Sequence, residues 1–349
     1  MTAQLAKEII QKEVEYVRNS SDYDALEVDF MGGEPMTNFS LIKEVVEWAE
    51  NQDFNIPLIF FLTTNATLFD DETKEWFRNH KNSIVAGASY DGTEEMQIAN
   101  RATEKSAIDL EFFHNTWPFQ EFHMTISKES LPNLANGILT LQRKGYPLSA
   151  ALAQGVDWNE KDAEIFDREL HKLIASYMAE PQLQPINLLG NQFKIIDSTQ
   201  IAAMHQEKWC GTGTAMATYD VDGKVYGCHM FSPIVLGPRA IEAKEINFSC
   251  KAAMEDPFCS KCVLKLACPT CAGFNYRYRG DISTRDHRWC RMMLIQLRAA
   301  CEFQIKVISR SDDTLDIDSA IRAKTALEAY PILNSFDVNI AESPYLYEL

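Results

Sequence analysis

Nine cysteines carry the clearest chemistry in this sequence, and seven of them, spread over about eighty residues, form one spacing pattern. The central block has the spacing C-x2-C-x5-C-x2-C, and the seven are Cys210, Cys228, Cys259, Cys262, Cys268, Cys271 and Cys290. A thiolate is a soft, anionic ligand that suits iron–sulfur clusters and zinc. Either centre is typically held by four such ligands. Seven cysteines exceed the needs of one centre, so the spacing favours two.

The composition excludes several classes of protein. Lys and Arg total 33 against 50 Asp and Glu, so the net charge is -17 and a nucleic-acid partner is a poor fit. The longest apolar runs, such as residues 57–62, are far too short to span a bilayer. The charged N-terminus lacks a signal-peptide core. We therefore predict a cytoplasmic protein without a membrane partner, whose cysteines bind metal rather than form disulfides.

The elements that must position these residues follow from the apolar pattern of the first 177 residues. Predicted strands cover residues 25–31, 56–62, 84–88, 119–126 and 148–153. Predicted helices cover residues 3–18, 39–49, 70–78, 104–114, 131–143 and 160–177. Strands that alternate with helices at this spacing indicate a parallel sheet. The nearly continuous apolar strands predict that both faces of the sheet are covered.

Polar residues fall where the predicted strands end, and ligands bind at that edge of a parallel sheet. They are Glu34, Asn65, Ser89, Asp91, Ser127 and Gln154. Each one alone could simply cap a helix or form a turn, but the whole set favours a ligand site. Gly32 and Gly33 allow the backbone to approach a ligand closely. A hairpin around Asp222 and Gly223 is predicted to lead into Cys228.

These segments and the cysteine pattern resemble radical SAM enzymes that carry a SPASM auxiliary-cluster domain. The matching segments are Gly32-Gly33-Glu34-Pro35 for the GGEP motif, Thr64-Asn65 for the T-N-G/A turn, and Ser89-Tyr90-Asp91-Gly92 with Arg101 for the S-x-D-G…R element. Cys210, Gly223 and Cys228 fit the start of the SPASM signature. The central block departs from the signature by one residue, because two residues rather than three separate Cys268 from Cys271.

The resemblance covers about residues 1–300 and implies an α/β fold. It predicts a partial parallel (β/α)6-type radical SAM barrel lacking its first strand in residues 1–200, and a Cys-rich SPASM domain in residues 201–300. Residues 301–349 would be an acidic C-terminal extension whose role the sequence does not reveal.

The same resemblance implies the site residues and cofactors. One auxiliary [4Fe-4S] cluster would be held by Cys259, Cys262, Cys268 and Cys290, and a second by Cys210, Cys228 and Cys271. The fourth position of the second cluster would be open or use another ligand; His205 is a candidate, although a surface histidine is the simpler interpretation. Cys250 and Cys301 match no motif position. The S-adenosyl-L-methionine site would use Gly32, Gly33, Glu34, Pro35, Asn65, Ser89 and Arg101, with Ser89 and Arg101 on the carboxylate.

The C-x3-C-x2-C motif that holds the cofactor-cleaving third [4Fe-4S] cluster in this family is absent, since the sequence has no cysteine before Cys210. As written, the chain would not make the 5′-deoxyadenosyl radical by the family's route. Two explanations stay open. Met1 is an internal methionine of a longer protein, or the chain is a degenerate homologue whose clusters serve electron transfer or peptide binding.

The function implied is that of a peptide maturase, which modifies a ribosomal precursor peptide by hydrogen abstraction and takes electrons from a donor such as ferredoxin or flavodoxin. His229 follows Cys228, as in the ribosomal-peptide maturases, and would either move a proton or lie in the cluster's surroundings. No catalytic residue is assigned. The rival interpretation is a zinc-stabilised binding module, although zinc sites usually space their C-x2-C pairs more widely than five residues.

Overall fold

The computed structural model describes residues 1–101, 108–190, 210–310 and 317–338. Within them the chain forms two compact units. The first unit contains residues 1–125, 140–149 and 219–225. The second contains residues 126–139, 150–218 and 226–349, as far as they are described.

The first unit opens with a helix that buries one face. Its helices are α1 (Ala3–Asn19), α2 (Phe39–Glu50), α3 (Asp71–Asn79), α4 (Glu94–Arg101) and α5 (Leu110–Thr116), and its first strands are β1 (Leu26–Phe30), β2 (Leu58–Thr64) and β3 (Ile84–Ala88). The Thr2 side chain accepts a hydrogen bond from the Leu5 N–H and caps α1. Ile10, Val14 and Val17 recur at helical spacing and are buried.

Strands β1, β2 and β3 form a parallel sheet in that order, with Val28 paired to Phe60 and Phe60 to Ile84. This arrangement confirms the predicted parallel α/β pattern. The strands are not equally covered, however. β3 is buried almost throughout, whereas β1 alternates between half-buried and exposed residues, with Glu27 and Asp29 exposed. The face of β1 that carries Glu27 and Asp29 is therefore uncovered, and the prediction that both faces of the sheet are covered does not hold for this strand.

Two further strands, β4 (Phe122–Ile126) and β5 (Leu148–Leu152), pair with each other. The Phe122 N–H donates to Pro147 O and the Ala153 N–H donates to Ile126 O, both at 2.9 Å, so the two strands run in the same direction. Ser89, just after β3, forms a parallel bridge to His123. Helix α6 (Leu134–Gln142) lies between β4 and β5 in the sequence.

The second unit is built around one long helix. Its helices are α7 (Glu160–Ala179), α8 (Asn187–Gly190), α9 (Pro233–Leu236), α10 (Ala272–Arg279), α11 (Trp289–Ile308) and α12 (Ile317–Ser335). The short strands β6 (Thr218–Tyr219) and β7 (Val225–Tyr226) are each divided between the two units. Short 3-10 helices lie at Pro35–Asn38, Leu131–Asn133, His229–Phe231, Gly237–Ala240, Glu242–Glu245, Lys251–Met254 and Pro257–Cys259. Helix α11 packs against α7, α8 and α12. The cysteine-rich segment is mostly loop and 3-10 helix, with a core that includes Phe231 and Phe248.

Most predicted elements are present within a few residues of their predicted bounds, and the predicted hairpin is formed by β6 and β7. The sequence pattern missed α4, because the segment Glu94–Arg101 has few apolar residues. The predicted helix at 104–114 starts at Leu110 where it is described, and residues 104–107 lie outside the described residues. The predicted boundary at residue 200 also lies outside them, and the boundary at 300 stays a prediction. In the described ranges, no helix combines the length and apolar composition that crossing a bilayer requires.

Candidate functional site

The ends of β1 and β2 are joined by the carboxylate of Glu34. Its Oε1 accepts hydrogen bonds from Met36 N at 3.1 Å and from Thr64 Oγ1 at 2.8 Å. Its Oε2 accepts from Asn65 N at 2.8 Å. Thr64 O then accepts from Ser89 N at 2.9 Å, beyond the end of β3. The structure therefore brings Glu34, Asn65 and Ser89 to one edge of the sheet, where the sequence predicted them.

The two glycines before Glu34 leave open space around the backbone. Neither Gly32 nor Gly33 has a positive φ, so the turn itself does not require glycine. A Cβ added to either residue would meet no atom within 4 Å. Pro35 starts a 3-10 helix directly after Glu34. The open backbone at Gly32 and Gly33 is compatible with a bound ligand on that side.

Some of the predicted strand-end residues serve their own turns. The Asn65 Oδ1 atom accepts from Thr67 N at 3.0 Å and from Thr67 Oγ1 at 2.8 Å. The Ser127 Oγ atom accepts from Ser130 N at 3.2 Å. These bonds are the ordinary turn chemistry of Asn and Ser. Asn65 is connected to the other residues at this edge of the sheet through its backbone N–H, which donates to Glu34.

Arg101, at the end of α4, is oriented by a buried carboxylate. Its Nε donates to Asp91 Oδ2 at 2.8 Å and its Nη2 to Asp91 Oδ1 at 3.0 Å. Asp91 Oδ1 also accepts from Thr125 N at 2.8 Å, and its own N–H donates to Gln97 Oε1. Since the Asp91 side chain is 1% exposed, this fork holds the guanidinium firmly and leaves Nη1 outside the pair.

In the second unit, one cavity of about 30 Å³ is lined by the four cysteines predicted to form one set, and Cys271 borders it as well. Cys259 ends a 3-10 helix, and its carbonyl accepts from Cys262 N at 3.1 Å. The chain then turns back so that Cys268 N donates to Leu264 O at 2.8 Å. Cys290 enters at the first turn of α11, through a bond from Cys290 N to His287 O at 3.0 Å.

Burial makes these thiols hard to ionise while no cation is bound. It raises the pKa of the Cys259 thiol to about 12 and that of Cys262 to about 11. The pKa values of Cys268 and Cys290 are also raised, first by burial. Cys259, Cys262 and Cys290 each sense the charge of Cys268, which places the four close together. Metal coordination would deprotonate such thiols outright and supply the missing positive charge.

Cys210, Cys228 and Cys271 form a separate group. The pKa of Cys228 is raised, chiefly by burial and further by the nearby Cys271 and Cys210. The pKa of Cys271 is also raised, by burial and then by Cys210. Thr212, which is 3% exposed, places its Oγ1 2.9 Å from the Cys210 Sγ atom. The structure thus brings together the three cysteines of the second predicted set, with a buried hydroxyl beside them.

The other predicted or considered residues lie apart from these groups. His229 starts a 3-10 helix after Cys228, and burial lowers its pKa, which keeps the imidazole neutral at pH 7. Cys250 is exposed. Cys301 is completely buried on α11, where burial raises its pKa to about 12. His205 lies outside the described residues.

A buried carboxylate connects the two chain segments that deliver Cys259 and Cys290. Asp256 Oδ2 accepts from Arg285 N at 2.9 Å and lies 2.8 Å from His287 Nε2, while Asp256 Oδ1 accepts from Phe258 N at 2.9 Å. Burial alone would raise the pKa of Asp256, but the bonds from His287 and the Arg285 N–H outweigh it and lower the pKa. The Phe258 ring stacks on His287, with ring centroids 4.2 Å apart.

Comparisons with known proteins identify the fold. No family model matches the chain. Among solved structures, anSMEcpe with bound AdoMet and the Cp18Cys peptide superposes with a TM-score of 0.54 at 16% identity, over 94% of this chain and 89% of that one. A histidine-tagged form of anSMEcpe with bound AdoMet also gives 0.54, at 13% identity, over 91% and 89%. That protein is a radical SAM/SPASM anaerobic sulfatase maturase.

The chain shares its fold with anSMEcpe. The predicted α/β fold class with parallel strands and a cysteine-rich C-terminal region is confirmed. A curated relative, the uncharacterized protein MJ0907 of Methanocaldococcus jannaschii, is 32% identical over 82 residues. That match spans 22% of this chain and 28% of the relative.

The residues around the four-cysteine cavity fit an iron–sulfur group. Four thiols around one cavity, one buried and three half-buried, are the donor set of an iron–sulfur cluster. Arg285, at 5% exposure, also lines that cavity, and its Nε and Nη2 atoms have no hydrogen-bond partner among the described residues. Buried cationic donors without partners are rare and indicate that an anionic group belongs beside them.

Sequence reasoning missed Asp256, Arg285 and His287, although their ligand atoms or charges surround the cysteines. The oxygen, sulfur and nitrogen ligand atoms of Asp256, Cys259 and His287 lie within 4.8 Å of one another. A signal was present: Asp256 stands three residues before Cys259, and His287 stands three residues before Cys290. A polar residue at the same offset before two metal-ligating cysteines would have indicated a supporting role.

Proposed function

We propose that this chain supplies the S-adenosyl-L-methionine-binding edge and the auxiliary-cluster unit of a radical SAM peptide-modifying enzyme. The observation that carries the proposal is the grouping of seven cysteines into a set of four and a set of three, on a radical SAM/SPASM fold. Cys259, Cys262, Cys268 and Cys290 would hold one [4Fe-4S] cluster. Cys210, Cys228 and Cys271 would hold another.

At the sheet edge, Gly32 and Gly33 would receive the methionine part of S-adenosyl-L-methionine on open backbone. Glu34 would fix the edge, because its carboxylate already binds the backbone N–H of Asn65. Asp91 engages Nε and Nη2 of Arg101, so Nη1 is the nitrogen that would meet the cofactor carboxylate. Ser89 would donate its hydroxyl to the same carboxylate.

The cofactor in this family supplies hydrogen abstraction from a substrate carbon. The printed sequence has no C-x3-C-x2-C motif for the cluster that cleaves the cofactor, so the proposal concerns cofactor binding and the two auxiliary clusters. Peptide substrates fit the fold, since anSMEcpe has been crystallised with the Cp18Cys and Kp18Cys peptides. We extend this to a precursor-peptide partner and a small reducing donor such as ferredoxin or flavodoxin.

Anaerobic reconstitution tests the proposal. The purified chain is treated with ferrous iron, sulfide and a thiol reductant, desalted, and assayed for iron, sulfide and visible absorption. We expect about eight iron and eight sulfide per chain, as for two [4Fe-4S] clusters. Cys228→Ala and Cys259→Ala should each lose about four iron, because they come from different cysteine groups. Cys301→Ala is the matched control and should lose none.

Two results would decide against this function. A colourless chain that retains zinc through desalting would indicate the zinc-stabilised module instead. Iron loss of the same size in Cys228→Ala, Cys259→Ala and their double variant would show one centre rather than two. Binding of S-adenosyl-L-methionine is measured separately by calorimetry, with Glu34→Ala expected to weaken it and the exposed Glu111→Ala expected to leave it unchanged.

A further inference from the structure

Three cations line the cavity of the four cysteines, and two of them are neutralised locally. Lys265 Nζ lies 2.9 Å from Glu255 Oε1, and Arg279 Nη2 lies 3.1 Å from Asp286 Oδ2. Arg285 is different. Among the described residues it forms no ion pair, its Nη1 donates to Cys268 O at 3.4 Å, and its Nε and Nη2 atoms are buried without a partner.

The charge of Arg285 acts on all four thiols. It lowers the pKa of Cys259, Cys262, Cys268 and Cys290, in each case against the larger raising effect of burial. No other charged side chain has this effect on all four cysteines of the described cavity.

The backbone of Arg285 is held in place independently of any metal. Arg285 N donates to Asp256 Oδ2 at 2.9 Å, and the same oxygen lies 2.8 Å from His287 Nε2. Arg285 is 5% exposed, so its Nε and Nη2 atoms have almost no contact with bulk water. A charged donor left unsatisfied in such a position costs free energy, which is recovered if an anionic acceptor occupies the cavity.

We propose that Arg285 is a positioning residue for the cluster of Cys259, Cys262, Cys268 and Cys290, and that its two unpartnered nitrogens, Nε and Nη2, donate to cluster sulfur and stabilise the reduced state. The inference rests on the proposed function. Reduction adds one electron, taken from the external reductant, to a centre that is already anionic. A fixed cation with two donors stabilises the added negative charge and therefore raises the reduction potential.

The test is a redox titration of the full chain carrying Cys210→Ala, Cys228→Ala and Cys271→Ala, so that one cluster is measured. Reduced cluster is followed by electron paramagnetic resonance under anaerobic dithionite titration. In Arg285→Gln we expect the ratio of reduced to oxidised cluster at a fixed potential to fall about tenfold, which equals about 59 mV for a one-electron couple. Arg285→Lys keeps the charge and should recover most of this loss.

Arg239→Gln is the matched control. It removes one positive charge from the same unit, but its guanidinium donates to the backbone carbonyls of Tyr276 and Arg277 and does not line the cavity. In Arg239→Gln the ratio of reduced to oxidised cluster should stay within about twofold of the value for the unsubstituted chain, because the charge of Arg239 lies outside the cysteine cavity.

The outcomes separate this inference from the proposed function. If Arg285→Gln binds a full cluster with an unchanged ratio, the inference is wrong while the function stands. If Arg285→Gln binds no cluster but keeps native circular dichroism, and Arg285→Lys binds one, the cation is needed and the inference is supported. If Arg285→Lys and Arg285→Gln behave identically, the inference is wrong. If the unsubstituted chain takes up no iron, the proposed function itself fails.

Discussion

Replacing Asp256 with alanine should destabilise the second unit more than any surface change. The Asp256 side chain is 1% exposed, and its two oxygens take three contacts: Phe258 N at 2.9 Å, Arg285 N at 2.9 Å and His287 Nε2 at 2.8 Å. Hydrogen bonds to a charged group contribute about 1.5–3 kcal/mol each. Removing the carboxylate would also leave buried donors without a partner, at a cost of about 1–3 kcal/mol for each.

The contributions of the three bonds overlap, so we expect Asp256→Ala to lower the free energy of unfolding by about 3–5 kcal/mol. The measurement is urea unfolding of the metal-free chain in reductant at pH 7, followed by circular dichroism. Asp318→Ala is the control, because Asp318 is exposed at the start of α12, and it should change stability by less than about 0.5 kcal/mol.

Asp256→Asn separates charge from shape. The amide oxygen can still accept from Phe258 N, but the amide nitrogen would face the Arg285 N–H and the His287 ring, which are donors in the present structure. We therefore expect Asp256→Asn to lower the free energy of unfolding by less than Asp256→Ala but by more than the control Asp318→Ala. An Asp256→Ala variant within about 1 kcal/mol of the unsubstituted chain would refute the reasoning, since it would mean that the three bonds contribute almost nothing.

Three further predictions concern the cofactor edge and the remaining cysteines. Arg101→Lys should weaken S-adenosyl-L-methionine binding about tenfold in calorimetry, because lysine cannot pair with Asp91 and a ligand carboxylate at once; unchanged affinity would remove Arg101 from the site. Asp91→Asn should weaken binding similarly and also lower the melting temperature, since Asp91 is buried beneath Arg101; a stable variant with full affinity would contradict this. Cys250→Ser, at an exposed position, should leave the iron content unchanged on reconstitution, and loss of about four iron would place Cys250 among the ligands.

The sequence predicted the strands and most helices because their apolar periodicity is strong, and β3 matches its predicted bounds. It could not show that Glu34 joins two strand ends, since Asn65 is thirty-one residues away and the contact exists only in the folded sheet. Helix α4 was missed because its segment has few apolar residues, although Met96 and Gln97 are buried in the folded chain. The motif positions could be read from spacing. The residues that support them lie in loops, where spacing carries little information.

The side chains that line the four-cysteine cavity include several cations, although the chain as a whole is strongly acidic. The whole sequence carries a net charge of -17, yet the cavity of the four cysteines is lined by Lys265, Arg279 and Arg285. If the cavity served only to bury thiols, neutral side chains would stabilise it better, because buried charges are costly. A cluster bound by four thiolates is anionic in every usual oxidation state, so a cation without its own carboxylate offsets that charge. The placement of Arg285 is therefore best explained by an anionic cluster rather than by the stability of the metal-free fold.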